Sequence, residues 1–423
     1  MHKHKLITLK NGLRVIIVPM PQLESTTIMV GVGAGSRYET EKNNGISHFL
    51  EHMSFKGTKK RPTTLDIATT LDGIGATFNA FTDKELTAYF IKANAQHQEL
   101  AFDVLTDMVF NSKFDSKEVE REKGTIIGEI DMYEDTPTTN IHNVFDSLIY
   151  GSTPLGWRVI GEKENIRKMK RQDFIDYQER FYFPSNMVVV GVGKIEEKKF
   201  LNLVNNYFGE LKDKQKEGFR SFKFNQSEPM VSLKKQKTSQ SHLSLGVPAY
   251  SYSHADVFPL RVLATVLGYG MSSRLFIQLR ERRGFGYYVR MMPVFFMDNG
   301  YLITNTGVHV NKTEEAVRVI LEEYKKITLE KVGKKELKKA KEFLKGNLIL
   351  SSENSVSVTE SYLYQAILEK NIRDIEEKIK LIDKVTANDI QRVAKDIFKP
   401  EKLNLAVIGP YKDEEKFLKL LKL

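Results

Sequence analysis

Two histidines four residues apart, with a glutamate between them, are the residues of this 423-residue chain best suited to chemistry. They are His48, Glu51 and His52, in Gly45-Ile46-Ser47-His48-Phe49-Leu50-Glu51-His52-Met53. On a helix His48 and His52 share a face, and Glu51, three residues after His48, falls on the same side. Two imidazoles one turn apart chelate one Zn²⁺ with Zn–N near ~2.0–2.1 Å. A carboxylate beside them takes a proton from the water that such an ion activates. A bare His-x-x-x-His is more often a surface pair or a pair of satisfied core histidines. Here the intervening acid, the apolar Phe49, Leu50 and Met53, and a total of only 9 histidines favour the metal. A catalytic zinc keeps three protein ligands and an open position, so a third ligand has to come from elsewhere. The stretch Ser116–Tyr133 offers acids. Glu122 and Glu129 are seven apart and project from one helix face. Glu129 follows Ile126-Ile127-Gly128 and is expected to be partly buried, whereas Glu118 and Glu120 read as solvated acids favourable near a helix N-terminus.

These residues need rigid elements to hold them. Asn43, Asn44 and Gly45 supply a turn and a cap for a helix over Ile46–Lys56, with Gly57 as a stop. Further helical patterns cover Leu65–Asp72, Gln98–Val109 and Ser116–Tyr133. Arg14–Val18 and Thr26–Val32 read as strands, and Thr77–Phe81 with Thr87–Ala93 as a hairpin around Asp83-Lys84. Strands run together with helices inserted, without strict βαβ alternation, which predicts α+β with helices packed on sheets. The plan repeats. Asp173 and Asp389 open helical patterns, Pro184 and Pro400 close them, and Gly193 and Gly409 follow the next strands; each pair is 216 residues apart. The sequence therefore predicts two homologous tandem domains, each a mainly antiparallel sheet with helices packed on it. Their expected bounds are 1–211 and 229–423, joined by a polar linker over 212–228. Carried forward by 216, the positions of His48, Glu51 and His52 fall on Ala264, Leu267 and Gly268, none of which binds zinc. The first half is thus expected to be catalytic and the second degenerate at the metal.

His-x-x-Glu-His is the inverted form of the His-Glu-x-x-His metallopeptidase signature. With Phe55-Lys56-Gly57-Thr58, Asn79-Ala80-Phe81-Thr82, Glu120-Arg121-Glu122 and Ile126–Glu129, it resembles the pitrilysin-like inverted-motif zinc peptidases over nearly the whole chain. That family includes insulin-degrading enzyme and mitochondrial processing peptidase, and this chain is similar to its short members. The second half adds Ser272–Phe276 and Leu279-Arg280-Glu281-Arg282-Arg283-Gly284 with Tyr287. The resemblance implies one Zn²⁺ per chain held by His48, His52 and Glu129, with Glu51 as general base and Glu122 as the carboxylate supporting the ligands. It further implies that Asn79, Ala80, Phe81 and Thr82 form an edge strand that pairs with an extended peptide, and that Arg280 and Tyr287 bind the substrate carbonyl. Short members commonly pair, so the expected assembly is a homodimer in which Arg280 and Tyr287 act in trans. The rival expectations are a catalytically silent structural subunit like the respiratory-complex core proteins, whose zinc motif has decayed, and a chamber that captures peptides without cutting them.

Composition excludes several other classes. The absence of cysteine rules out disulfides, thiolate metal sites and cysteine nucleophiles. No apolar run approaches the ~18 residues of a membrane span, so no membrane partner is expected. The net charge of +10 comes from dispersed lysines interleaved with acids, and no finger, RNA-recognition or helix-turn-helix signature accompanies it, so no nucleic-acid partner is expected. The opening Met1-His2-Lys3-His4-Lys5 carries no apolar signal core, and the expected location is cytoplasmic.

Overall fold

The computed structural model describes residues 3–369 and 371–423; Met1, His2 and Lys370 lie outside it. Eleven strands among the described residues form two sheets. β1 (Lys5–Thr8), β2 (Arg14–Pro19), β3 (Ser25–Val32), β4 (Thr77–Thr82), β5 (Thr87–Asn94) and β6 (Met187–Gly193) make the first, in the order β1-β2-β6-β3-β5-β4. β7 (Met230–Lys235), β8 (Gln240–Ala249), β9 (Gly286–Phe295), β10 (Gly300–His309) and β11 (Asn404–Gly409) make the second, in the order β7-β11-β8-β10-β9. Each sheet has one parallel pair, β2 with β6 and β7 with β11; the other neighbours are antiparallel. The architecture is α+β with two homologous copies, as the sequence predicts. β7 occupies the positions of β2 shifted by 216, and the helix Ala387–Ile397 those of Arg171–Phe181.

The chain forms two compact units. One comprises Met1–Met132, Trp157–Arg220 and Leu350–Ile375; the other Tyr133–Gly156, Ser221–Ile349 and Glu376–Leu423. Each sheet thus receives one helix from the other half of the chain. In the first unit, Ser355–Leu368 packs on β3 and β6, and a Cβ on Gly31 would lie 2.3 Å from Leu363 Cδ1. On Gly191 a Cβ would lie 2.2 Å from Phe200, which is on the helix Glu197–Phe208. Gly191 stands opposite Ile28, and Gly31 is three residues further along the same strand. Side chains alternate along a strand, so the two helices cover opposite faces. That is why β3 and β6 read as unbroken apolar runs: Ile28, Met29, Val30 and Val188–Val190 are all fully buried. In the second unit Pro137–Tyr150 plays the equivalent part, with Phe145 2.7 Å from a Cβ placed on Gly246. Leu243, Leu245 and Val247 join the larger core on the other face.

The 212–228 segment has no regular secondary structure, yet it is tied down. Within the first unit Asp213 accepts from the Ser185 N–H at 2.9 Å, and Arg37 lies 3.8 Å over the Phe219 ring. Within the second, Asp298 accepts from the Phe222 N–H at 2.9 Å.

Candidate metal centre

The helix Ile46–Met53 begins at Gly45, whose φ of +100° belongs to the left-handed region that glycine tolerates. Phe49, Leu50 and Met53 are buried, with Phe49 edge-on to Phe174 at 4.8 Å between ring centres. With those three side chains fixed in the core, the 3.6-residue period leaves His48, Glu51 and His52 directed away from it. The helix Ser116–Asp135 supplies the acids in the same way, burying Val119, Ile126 and Ile130 on one stripe.

His48, His52 and Glu129 come together. Their potential ligand atoms all lie within 4.8 Å of one another. Glu129 Oε2 is 3.8 Å from His48 Nε2 and 3.7 Å from His52 Nε2. Ligands at ~2.0–2.1 Å around a tetrahedral zinc sit roughly 3.3 Å apart, so Glu129 would need to close on each imidazole by only a few tenths of an ångström to share an ion with it. Two imidazoles, one carboxylate and no thiolate are a donor set that suits zinc and leaves a fourth position open.

Hydrogen bonds select which nitrogen faces inward. His52 Nδ1 lies 2.8 Å from Glu122 Oε1, and a carboxylate only accepts, so Nδ1 carries the proton and Nε2 keeps its lone pair. Glu122 is buried and also takes an ion pair from Lys56 at 2.6 Å. Burial alone would raise the Glu122 carboxyl, but the hydrogen bonds from His52 and Lys56 outweigh it and hold the pKa below its ordinary value. In His52, burial is likewise outweighed, by Glu122 first and then by the charges of Glu51 and Glu129, and the pKa rises. Burial, reinforced by the neighbouring His52, holds His48 down at about 3, so it is neutral at physiological pH and free to ligate. His48 Nδ1 is buried without a hydrogen-bond partner among the described residues.

Glu51 is buried beside this cluster, and burial raises its pKa. Thr82, at the end of β4, donates its hydroxyl to Glu51 Oε2 at 2.5 Å. β4 is an edge strand of the first sheet, paired through Asn79↔Phe90 and Thr82↔Thr87 on one side only. Asn79 is exposed and Ala80 buried; Phe81 is half-buried and stacks on Tyr364 at 6.2 Å and 6°. Thr82 thus contacts Glu51 as well as lying on the strand edge, a second contact that the sequence reading missed. Glu118 and Glu120 stay outside the cluster and pair with Arg121 and Lys123.

Arg280 and Tyr287 lie in the second unit. Arg280 is exposed at the end of a short helix, and Tyr287, on β9, is 71% exposed. Their closest link is a long contact of 3.4 Å from an Arg280 guanidinium nitrogen to the Tyr287 carbonyl. Two further positions escaped the sequence reading. Glu39 is buried against the start of the Ile46–Met53 helix, and Lys56 pairs with Glu122. The signal for Lys56 was its place one turn beyond His52; Glu39 has no periodic relation to the motif.

A duplicated α+β fold that carries a His-His-Glu donor set beside a buried glutamate on one copy is the arrangement that a two-domain metalloprotease would need. Known proteins agree. The profile of Insulinase (Peptidase family M16) matches residues 14–163, and that of the Peptidase M16 inactive domain matches residues 168–344. The chain is 35% identical over 407 residues to the uncharacterized zinc protease YmxG of Bacillus subtilis, covering 96% of this chain and 98% of that protein. To an uncharacterized zinc protease of Mycobacterium leprae it is 33% identical over 409 residues, covering 96% and 91%. A protease from Helicobacter pylori has the same fold, with a TM-score of 0.91 at 22% identity over 97% of this chain and all of that one. So does a chain of complex III2 from Candida albicans, with a TM-score of 0.85 at 17% identity, over 99% of this chain and all of that one. This chain belongs to peptidase family M16. Its described residues include no helix long and apolar enough to cross a membrane.

Proposed function

We propose that the protein is a zinc endopeptidase that cuts unfolded or extended peptides, with one Zn²⁺ per chain held by His48, His52 and Glu129. The observation that carries this is the convergence of those three donors beside the buried Glu51 and the open edge of β4. Bound zinc supplies a Lewis acid that polarises the scissile carbonyl and makes water acidic enough to ionise near pH 7. The chain's own residues do the rest. The free edge at Asn79, Ala80, Phe81 and Thr82 binds the peptide main chain as an added strand, which selects extended segments over folded ones. Glu51, held by Thr82, takes one proton from the attacking water and delivers it to the leaving amine as the C–N bond breaks. Glu122 fixes the His52 ring. Arg280 and Tyr287 donate to the carbonyl oxygen where charge develops.

On this reading residues 1–211 are the catalytic domain, 212–228 a linker and 229–423 the domain that supplies Arg280 and Tyr287. The protein works as a cytoplasmic homodimer, with Arg280 and Tyr287 acting on the partner's site. Peptide turnover and zinc content test the first part, using an unstructured peptide long enough to lie along β4. Wild type should bind zinc and cut. Glu51→Gln should bind zinc equally and lose about 10²–10⁴-fold in kcat/KM. Equal turnover by both, or a wild type without zinc, would sink the assignment. Mixing Glu51→Gln with Arg280→Ala chains tests the second part: each parent is inactive, and mixed dimers should recover activity. Mixed dimers as inactive as their parents would exclude action in trans.

A further inference from the structure

The helix that carries His48 and His52 lacks the usual stabilisation at its start. Gly45 at the N-cap has no side chain to accept a hydrogen bond, and no acid sits in the first turn. The first N–H groups of a helix have no partners within it. Here the Ile46 N–H donates to the Asn43 carbonyl at 3.0 Å, and those of Gly45 and Ser47 are met by Glu39, a carboxylate only 5% exposed. The Gly45 N–H donates to Glu39 Oε2 at 2.7 Å, and Asn44 Nδ2 to the same oxygen at 2.9 Å. The Ser47 N–H donates to Oε1 at 2.9 Å, and the Ser47 hydroxyl donates to that oxygen too. A carboxylate has about four lone-pair sites, and four donors fill them. The negative charge also lies where the helix dipole is positive.

The opposite side of the helix start is equally confined. Asn44 Nδ2 also donates to the Arg158 carbonyl at 3.0 Å. A Cβ on Gly45 would lie 2.7 Å from the Ile160 carbonyl oxygen, and one on Gly161 2.4 Å from that of Asn44. The backbone of 158–161 therefore touches one side and Glu39 grips the other. Ser47 directly precedes His48, so rotation of the first turn would swing the His48 ring.

We propose that Glu39 is a positioning residue for the metal centre. By holding Ser47 and Gly45 it fixes the first turn of the Ile46–Met53 helix, and so the direction in which His48 projects toward His52 and Glu129. This rests on the reading of those three residues as zinc ligands. The chemistry demands a carboxylate. In Glu39→Gln, one amide nitrogen must face either the Gly45 and Asn44 donors or the Ser47 pair. The Ser47 hydroxyl can reverse to accept, but no backbone N–H can.

The test uses full-length Glu39→Gln and Ser47→Ala beside wild type. It reads zinc affinity by chelator competition, amide exchange over residues 45–48, Tm, and kcat and KM of the zinc-loaded protein. Glu39→Gln should bind zinc 10- to 100-fold more weakly, the range seen when groups supporting metal ligands are removed. Its amides at 45–48 should exchange faster, and kcat should fall with KM little changed. Ser47→Ala, which deletes one donor and keeps the carboxylate, should show the same changes at a smaller size, and it carries the test if Glu39→Gln does not fold. A lowered Tm with wild-type zinc affinity and kcat in both variants would reduce Glu39 to a fold-stabilising residue and overturn the proposal. A wild type that binds no zinc would instead overturn the ligand assignment on which the proposal rests.

Discussion

The helix Ile46–Met53 in the first unit and Val257–Gly268 in the second occupy the same place in the repeat and meet opposite fates. His48, Glu51 and His52 correspond to Ala264, Leu267 and Gly268 at the offset of 216. Ala264 and Leu267 are buried in the second unit's core. Gly268 has no room for a side chain, since a Cβ there would lie 2.6 Å from Met291 Cβ on the edge strand β9. The second helix thus lies directly against its edge strand. In the first unit polar side chains occupy that side of the helix, and the edge strand β4 reaches it through the Thr82–Glu51 hydrogen bond. The acids diverge as well: at the same offset Glu122 and Glu129 become Lys338 and Lys345, and Lys345 pairs with Glu342 and Asp383. On the reading of this cluster as a metal centre, the site is a local exchange of apolar packing for polar groups. The first unit carries that exchange in buried carboxylates at Glu51 and Glu122 and in a His48 Nδ1 without a partner among the described residues.

The polar side of the comparison breaks most sharply at Glu122. In Glu122→Gln, His52 Nδ1 loses its anionic acceptor and Lys56 its counter-ion. Zinc affinity should fall 10- to 100-fold, while the fold is retained. Chelator competition against wild type measures it. An unchanged affinity would mean that His52 is oriented by packing alone.

The apolar side is probed by paired glycine substitutions. Gly268→Ala forces Met291 to move and should destabilise the protein by ~1–3 kcal/mol, as overpacking does. Gly124→Ala, on the helix Ser116–Asp135, meets nothing within 4 Å and should stabilise by ~0.4–1 kcal/mol through the unfolded state. Denaturant midpoints give both signs. If Gly268→Ala were neutral, close packing against β9 would not be what bars a side chain at that position.

Much of this was legible in the sequence because the signals are local. The strands read over Arg14–Val18 and Thr26–Val32 lie in β2 and β3, and the hairpin around Asp83-Lys84 in the antiparallel β4–β5 pair, since strand patterns and turn residues act over a few positions. The His48/His52 pairing follows from helical spacing, and the apolar stripe of Ser116–Asp135 ranks Glu129 above Glu118. Glu39 was not legible. Its bonds to Gly45 and Ser47 cross a loop, and no period relates an acid in one turn to a helix six residues on. The transfer of Pro137–Tyr150 and Ser355–Leu368 to the opposite halves' sheets was equally hidden, because an amphipathic helix shows that it needs a sheet without showing which one.

The two helix starts allow the finest test. Glu39 is a buried acceptor with four donors, whereas the helix Val257–Gly268 begins at Asp256, which makes a two-pronged ion pair with Arg392 at 2.8 and 2.6 Å near the surface. Arg392 is more than half exposed, so the pair should be worth only ~0.2–1 kcal/mol. The Arg392 hydrogen bonds hold the Asp256 carboxyl below its ordinary value, with burial opposing them. A carboxyl whose folded-state pKa is depressed adds stability that is present above its unfolded value of about 3.9 and lost as pH falls through the folded value. Asp256→Asn should therefore be slightly less stable than wild type at pH 7, and the gap should close as pH falls through the depressed folded-state value and shrink in 1 M salt, where the screening length is only ~3 Å. A gap that persisted in acid would show that the side chain contributes through shape or neutral hydrogen bonds. The two helix starts would then differ in depth of burial alone, and no longer in the use of charge.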